Sequence, residues 1–104
     1  MMVAEIQNNL SIITDACKKM QVKGLYVFGS AVRGDFAKTS DIDFLVSYEI
    51  DQSGMPPKEF DYFELWFALE DITGRKVDLV VEHSIRNEYF RKQIEKEKIL
   101  LYAA

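Results

Sequence analysis

Apolar residues recur along the first twenty positions at Val3, Ile6, Leu10, Ile13, Cys17 and Met20, in alternating steps of three and four. Such spacing draws one stripe along a helix of 3.6 residues per turn, and Gly24 interrupts it. Leu25, Tyr26, Val27 and Phe28 are aromatic, β-branched or aliphatic and are closed by Gly29, which predicts a buried strand. Residues 30–40 have the composition of a loop, and residues 42–47 resume strand character. Residues 48–57, with Gly54 and the Pro56-Pro57 pair, predict a connecting loop. A second helix is predicted over residues 58–73, with prolines before it and Gly74 after it. Its apolar face is broad, with Phe60, Phe63, Phe67, Trp66, Leu69 and Ile72, and most of these are expected in the core. Residues 76–82 predict a third strand. Ser84 is the expected cap of a third helix running to about Lys96, whose polar face carries no assigned role. Residues 99–102 predict a short last strand.

Helix and strand patterns in this order indicate an α/β or α+β domain with a mixed sheet. All 104 residues, 1–104, are read as a single domain with no repeat or linker. The hydrophobic fraction of 48% against 29% charged residues is that of a folded globular chain. The 13 basic and 17 acidic residues leave a formal charge of −4, which argues against bulk binding to a nucleic-acid backbone. A single cysteine, Cys17, excludes an internal disulfide and a cysteine-based zinc cluster, and its place on the first stripe predicts a packed thiol. The opening MMVAEIQNNL lacks the features of a secretory signal, and the longest apolar run, ILLYAA, is far short of a membrane span. The expectation is a cytoplasmic protein without membrane association.

Chemistry concentrates between Gly29 and Asp43. A Gly29-Ser30 turn closes the first strand, and ten residues separate Ser30 from Asp41-Ile42-Asp43. Alternate side chains share one face of a strand about 6–7 Å apart, so Asp41 and Asp43 face together while Ile42, Phe44 and Val46 face the other way. In the third strand Val77, Leu79 and Val81 alternate with Asp78, Val80 and Glu82. If the apolar set joins Ile42, Phe44 and Val46, then Asp78 joins the two acids. Crowded carboxylates repel one another unless a counter-charge is present, and Mg²⁺ accepts both carboxylate and phosphate oxygens. Two such ions about 3.5–4 Å apart can clamp the attacking and leaving oxygens of a phosphoryl displacement. Asp78 is placed to ligate the second ion and to accept a proton from an attacking hydroxyl. The Gly29 and Ser30 turn offers N–H groups and a hydroxyl to phosphate oxygens, and Arg33 offers a planar fork. Either motif alone is weak, but both at this spacing arise by chance in roughly one 100-residue chain per thousand.

With these residues in place, the chain resembles the minimal nucleotidyltransferases of the DNA polymerase beta superfamily. The residues that carry the resemblance are Phe28-Gly29-Ser30, Asp41-Ile42-Asp43 and Val77-Asp78-Leu79, between Leu25 and Glu82. The resemblance implies that fold, with helices on one face of a mixed sheet and the acids on the other. It implies Mg²⁺-dependent transfer of a nucleoside monophosphate, AMP from ATP foremost, with pyrophosphate leaving. By carry-over Asp41, Asp43 and Asp78 are catalytic and metal-binding, with two Mg²⁺ ions, and Gly29, Ser30 and Arg33 bind the nucleotide. Many relatives read Gly-Ser-Arg-x-Arg-Gly and carry another arginine further on. Here Arg33 and Gly34 match, Ala31 and Ala37 stand where those arginines often are, and Lys38 is a partial replacement for the second.

A chain of this length resembles in particular the MNT antitoxins paired with HEPN-domain toxins. This implies a HEPN toxin as partner and one of its tyrosines as acceptor. Two other readings remain open: a binding module that neutralises its partner by contact, with the helix over residues 58–73 as its surface, and a small-molecule nucleotidyltransferase working as a homodimer. His83 is expected at a strand end without a catalytic role, and Trp66 is expected in core packing rather than base stacking.

Overall fold

The computed structural model describes residues 3–34, 37 and 40–104. The elements are α1 (Ala4–Gln7), α2 (Leu10–Lys19), β1 (Gly24–Phe28), α3 (Ser30–Arg33), β2 (Ile42–Ser47), α4 (Tyr62–Thr73), β3 (Val77–Val81), a 3₁₀ turn (Glu82–Ser84), α5 (Glu88–Glu97) and β4 (Ile99–Ala103). The first predicted helix is two pieces, divided at Asn8 and Asn9, yet its stripe is intact: Ile6, Ile13, Cys17 and Met20 are buried. Burial pushes the Cys17 thiol up to about 12, so it is a packing group. The predicted starts of α4 and α5 fall short of the observed ones. Asp61 and Asn87 begin them, each accepting from a backbone N–H in the first turn (Glu64 and Phe90, both 3.0 Å).

The four strands form one sheet in the order β3-β2-β1-β4. β1 is antiparallel to both β2 and β4, and β2 is parallel to β3 through the α4 crossover. Ile42, Phe44 and Val46, with Leu25, Val27, Val77 and Leu79, meet the buried side chains of α1, α2 and α4 in the main core. The opposite face carries a smaller cluster, in which Phe28 and Leu45 pack with Ile85 and Ile94. One helix therefore lies across the acidic face: α5 covers part of it through Ile94, while Phe90 meets the Phe28 ring edge-on at 6.2 Å.

The aromatic face of α4 departs from expectation. Leu65 and Leu69 are fully buried, Trp66 and Tyr62 partly, but Phe63 and Phe67 are 59% and 58% exposed. Trp66, as expected, is structural. Its indole N–H donates to the Val77 carbonyl at 2.8 Å, the Tyr62 hydroxyl donates to the Leu79 carbonyl, and Glu70 accepts from the Val77 N–H at 3.0 Å. β3 is an edge strand, and these α4 side chains satisfy three of its outward backbone groups. Among the described residues, no helix is long and apolar enough to cross a membrane.

Candidate active site

The ladder registers place the acids. Phe28 pairs with Asp43 across β1 and β2, and Asp43 pairs with Asp78 across β2 and β3. Phe28, Asp43 and Asp78 thus form one row on one face, with strands about 4.8 Å apart. Asp41 lies just before β2, exposed, two residues from Asp43 and on the same face. The apolar alternation in β2 and β3 forces this arrangement. Turning Asp43 or Asp78 inward would expose Phe44 or Leu79.

Electrostatics register the crowding. Burial, then the charges of Asp78 and Asp41, push Asp43 up to about 6, and Glu97 adds to the effect while Arg33 opposes it. The Tyr62 hydroxyl is also raised, by burial first and by Asp78 second.

The turn after β1 is built around this row. Gly29 has φ +77°, a left-handed conformation that favours glycine. A Cβ at Gly29 would lie 2.1 Å from Oδ2 of Asp43. The absent side chain therefore gives the Asp43 carboxylate its space, a constraint beyond close approach of a ligand. Ser30 to Arg33 form one helical turn, in which the Gly29 carbonyl accepts from the N–H groups of Val32 (2.9 Å) and Arg33 (3.1 Å), and Gly34 ends it at φ +91°. This turn stands where a loop was expected. Ala31, in the place of a family arginine, is buried against the core; Ala37 is exposed; Lys38 lies outside the described residues.

Two further residues enter the site without a local motif to announce them. Arg75, just before β3, pairs with Glu5 at 2.6 Å and donates to the carbonyls of Ala37 and Ser40 (2.9 Å to the latter), tying the segment that leads into Asp41 to α1. Glu97, at the end of α5, accepts from the Gly29 N–H at 2.9 Å and pairs with Arg33 at 3.2 and 3.3 Å. A residue 68 positions from its partner has no local signal in sequence. The expected solvated face of this helix thus contributes a carboxylate to the turn. His83, in the 3₁₀ turn, stacks edge-on against Tyr48 at 5.0 Å, a strand-end role as expected.

As the side chains stand, no group of three His, Cys, Asp or Glu among the described residues is close enough to hold a metal ion. The donor set still fits a hard divalent cation. All its ligands are oxygens, and the like charges crowded on Asp43 would be relieved by one. Mg²⁺ keeps several waters and completes its shell with substrate phosphates, so one or two carboxylates suffice to anchor it.

Comparison with known proteins gives a consistent picture. A family model described as nucleotidyltransferase domain matches residues 10–101. The chain is 43% identical, over 81 residues and 78% of each chain, to a putative protein adenylyltransferase of Methanocaldococcus jannaschii. It is 36% identical over 81 residues, 74% of this chain and 77% of the relative, to the protein adenylyltransferase MntA of Thermococcus cleftensis. It also superposes on a chain from the solved complex of tri-AMPylated Shewanella oneidensis HEPN toxin with MNT antitoxin. The TM-score is 0.62 at 22% identity over 94% of this chain and 72% of that one, a likeness of fold.

Proposed function

This chain belongs to the nucleotidyltransferase-domain family, and from that premise we propose that it transfers AMP from ATP to a tyrosine of a HEPN-type toxin. Nucleotidyl transfer follows from the family. The choice of a protein acceptor draws on the names of the two adenylyltransferase relatives, and the toxin partner on the AMPylated complex whose fold this chain shares. The observation that carries the reading is the row formed by Asp43 and Asp78 beside the glycine turn, with Asp41 on the same face.

Asp41 and Asp43 are proposed to anchor Mg²⁺, with Asp78 completing the set. Bound there, the cation supplies positive charge to the transferring phosphoryl group and the leaving pyrophosphate. Arg33 and the Gly29 and Ser30 turn hold the outer phosphates and orient the α-phosphorus toward the acceptor. Asp78, the exposed end of the row, accepts the proton of the tyrosine hydroxyl as its oxygen bonds to the α-phosphorus. The bond to the bridging α–β oxygen breaks, and pyrophosphate leaves with that electron pair.

A second reading, neutralisation by contact without transfer, draws on the exposed Phe63 and Phe67 of α4. The test uses ATP labelled at the α-phosphate, Mg²⁺ and the co-expressed partner. Label on the partner that is abolished by Asp41→Asn/Asp43→Asn supports transfer. An unlabelled partner that is still neutralised by the Asn variant would sink transfer and leave contact.

A further inference from the structure

The contacts of Glu97 bear on how nucleotide enters. Its carboxylate is held by the Gly29 N–H and by the Arg33 guanidinium, two groups that the proposed function assigns to the triphosphate. A carboxylate and a terminal phosphate offer the same thing to such donors: charged oxygens at hydrogen-bond distance. One site cannot serve both at once.

We propose that Glu97 is a built-in stand-in for the triphosphate, which occupies the turn in the nucleotide-free protein and must be expelled for a nucleoside triphosphate to bind. The inference rests on the reading of the turn as a phosphate site. Three observations support displaceability. Glu97 closes α5, and a negative charge at a helix C-terminus opposes the helix dipole. It also faces the acidic row, where its charge acts against that of Asp43. The Gly29 N–H and the Arg33 guanidinium are the contacts that hold the carboxylate in place against these charges. The Arg33 side chain is 47% exposed and the Glu97 side chain 15%, so an incoming phosphate reaches the ion pair from the arginine side. Finally, α5 is seated independently, by Ile94 in the smaller core and by Phe90 against Phe28. Glu97 can swing away by changing rotamer while its helix stays docked.

On nucleotide entry Arg33 passes from Glu97 to phosphate. Apparent affinity is reduced to the fraction of time the turn is free. Occupancy near nine-tenths would cost about tenfold in apparent affinity.

The test is calorimetric titration of the wild type, Glu97→Gln and Glu97→Ala. The probes are an ATP analogue with a methylene bridge between the α- and β-phosphates, with MgCl₂, and separately inorganic triphosphate. Both variants are expected to bind both probes about tenfold more tightly than wild type. Glu97→Gln keeps an acceptor for the Gly29 N–H while removing the charge, so it carries the test should Glu97→Ala melt early. Adding Arg33→Ala to Glu97→Ala should remove most of the gain. Equal or weaker binding by folded variants, with wild-type binding measurable, overturns the stand-in and leaves the phosphate site intact. An absence of binding in all three proteins overturns the phosphate site and the stand-in with it.

Discussion

Replacing Asp43 by asparagine should make the metal-free protein more stable while abolishing nucleotidyl transfer. Burial and the charges of Asp78 and Asp41 raise the Asp43 carboxyl from 3.8 to about 6 in the folded state. The folded protein therefore holds this proton more tightly than the unfolded chain does. The stability it contributes is complete below pH 4 and is lost as the pH rises through 6. In full, a displacement from 3.8 to about 6 is worth about 3 kcal/mol. Asp43 is only half-buried, and solvent screening reduces this to about 1–2 kcal/mol. Asparagine does not ionise, so the variant escapes the loss. Urea unfolding in EDTA should show the two proteins differing little in pH response below pH 4. By pH 7.5 the variant should have gained about 1–2 kcal/mol relative to wild type, or about 5–15 °C in Tm for a domain of this size. Millimolar MgCl₂ should then narrow the gap by stabilising wild type selectively. A stability difference that stays constant from pH 4 to 7.5 would refute the argument that crowded charge is what strains Asp43.

Three other substitutions follow from the geometry. Gly29→Ala would drive a methyl group into Oδ2 of Asp43 and force an alanine to φ +77°; activity should fall about 100-fold or more, with a stability loss of about 1–2 kcal/mol in thermal melts. Arg75→Ala removes a largely buried guanidinium from Glu5 and from the carbonyls of Ala37 and Ser40, so unfolding should become easier by about 1–3 kcal/mol. If the segment before Asp41 relies on it, KM for Mg²⁺ should rise, and an unchanged KM would limit Arg75 to a role in stability. Phe63→Ser/Phe67→Ser should leave Tm within the range of about 0.5 kcal/mol usual for surface changes, yet abolish partner co-purification if this ridge is the docking surface.

The division between legible and illegible features has a common cause. Periodicity reports which way a side chain faces, and facing was enough to place Asp43 and Asp78 together. The alternation in β2 and β3 leaves no other arrangement that keeps Ile42, Phe44, Val77 and Leu79 dry. The same logic was incomplete over residues 58–73, where Leu69, Phe60, Trp66 and Ile72 join the core as expected and Phe63 and Phe67 do not. Aromatic residues around more than half of a helix leave its orientation open, and the structure resolves this by burying Leu65 and Leu69 and leaving Phe63 and Phe67 in solvent. Trp66 and Tyr62 sit between these extremes because their polar atoms are needed at the β3 edge.

What the sequence alone determined is therefore the set of local instructions. These are the apolar stripe that runs through α1 and α2, strand β2 to the residue, the glycine turn, the two-acid spacing and the third acid in an apolar strand. The tertiary structure decided what those pieces meet. It set the strand order β3-β2-β1-β4, laid α5 across the acidic face, and brought Arg75 to the approach to Asp41. It also gave Gly29 a purpose that no motif states, which is room for the carboxylate of Asp43. Glu97 shows the limit most plainly. A glutamate in a charged helix reads as solvated, because a single sequence encodes facing over a few residues and carries no signal for a contact made 68 positions away.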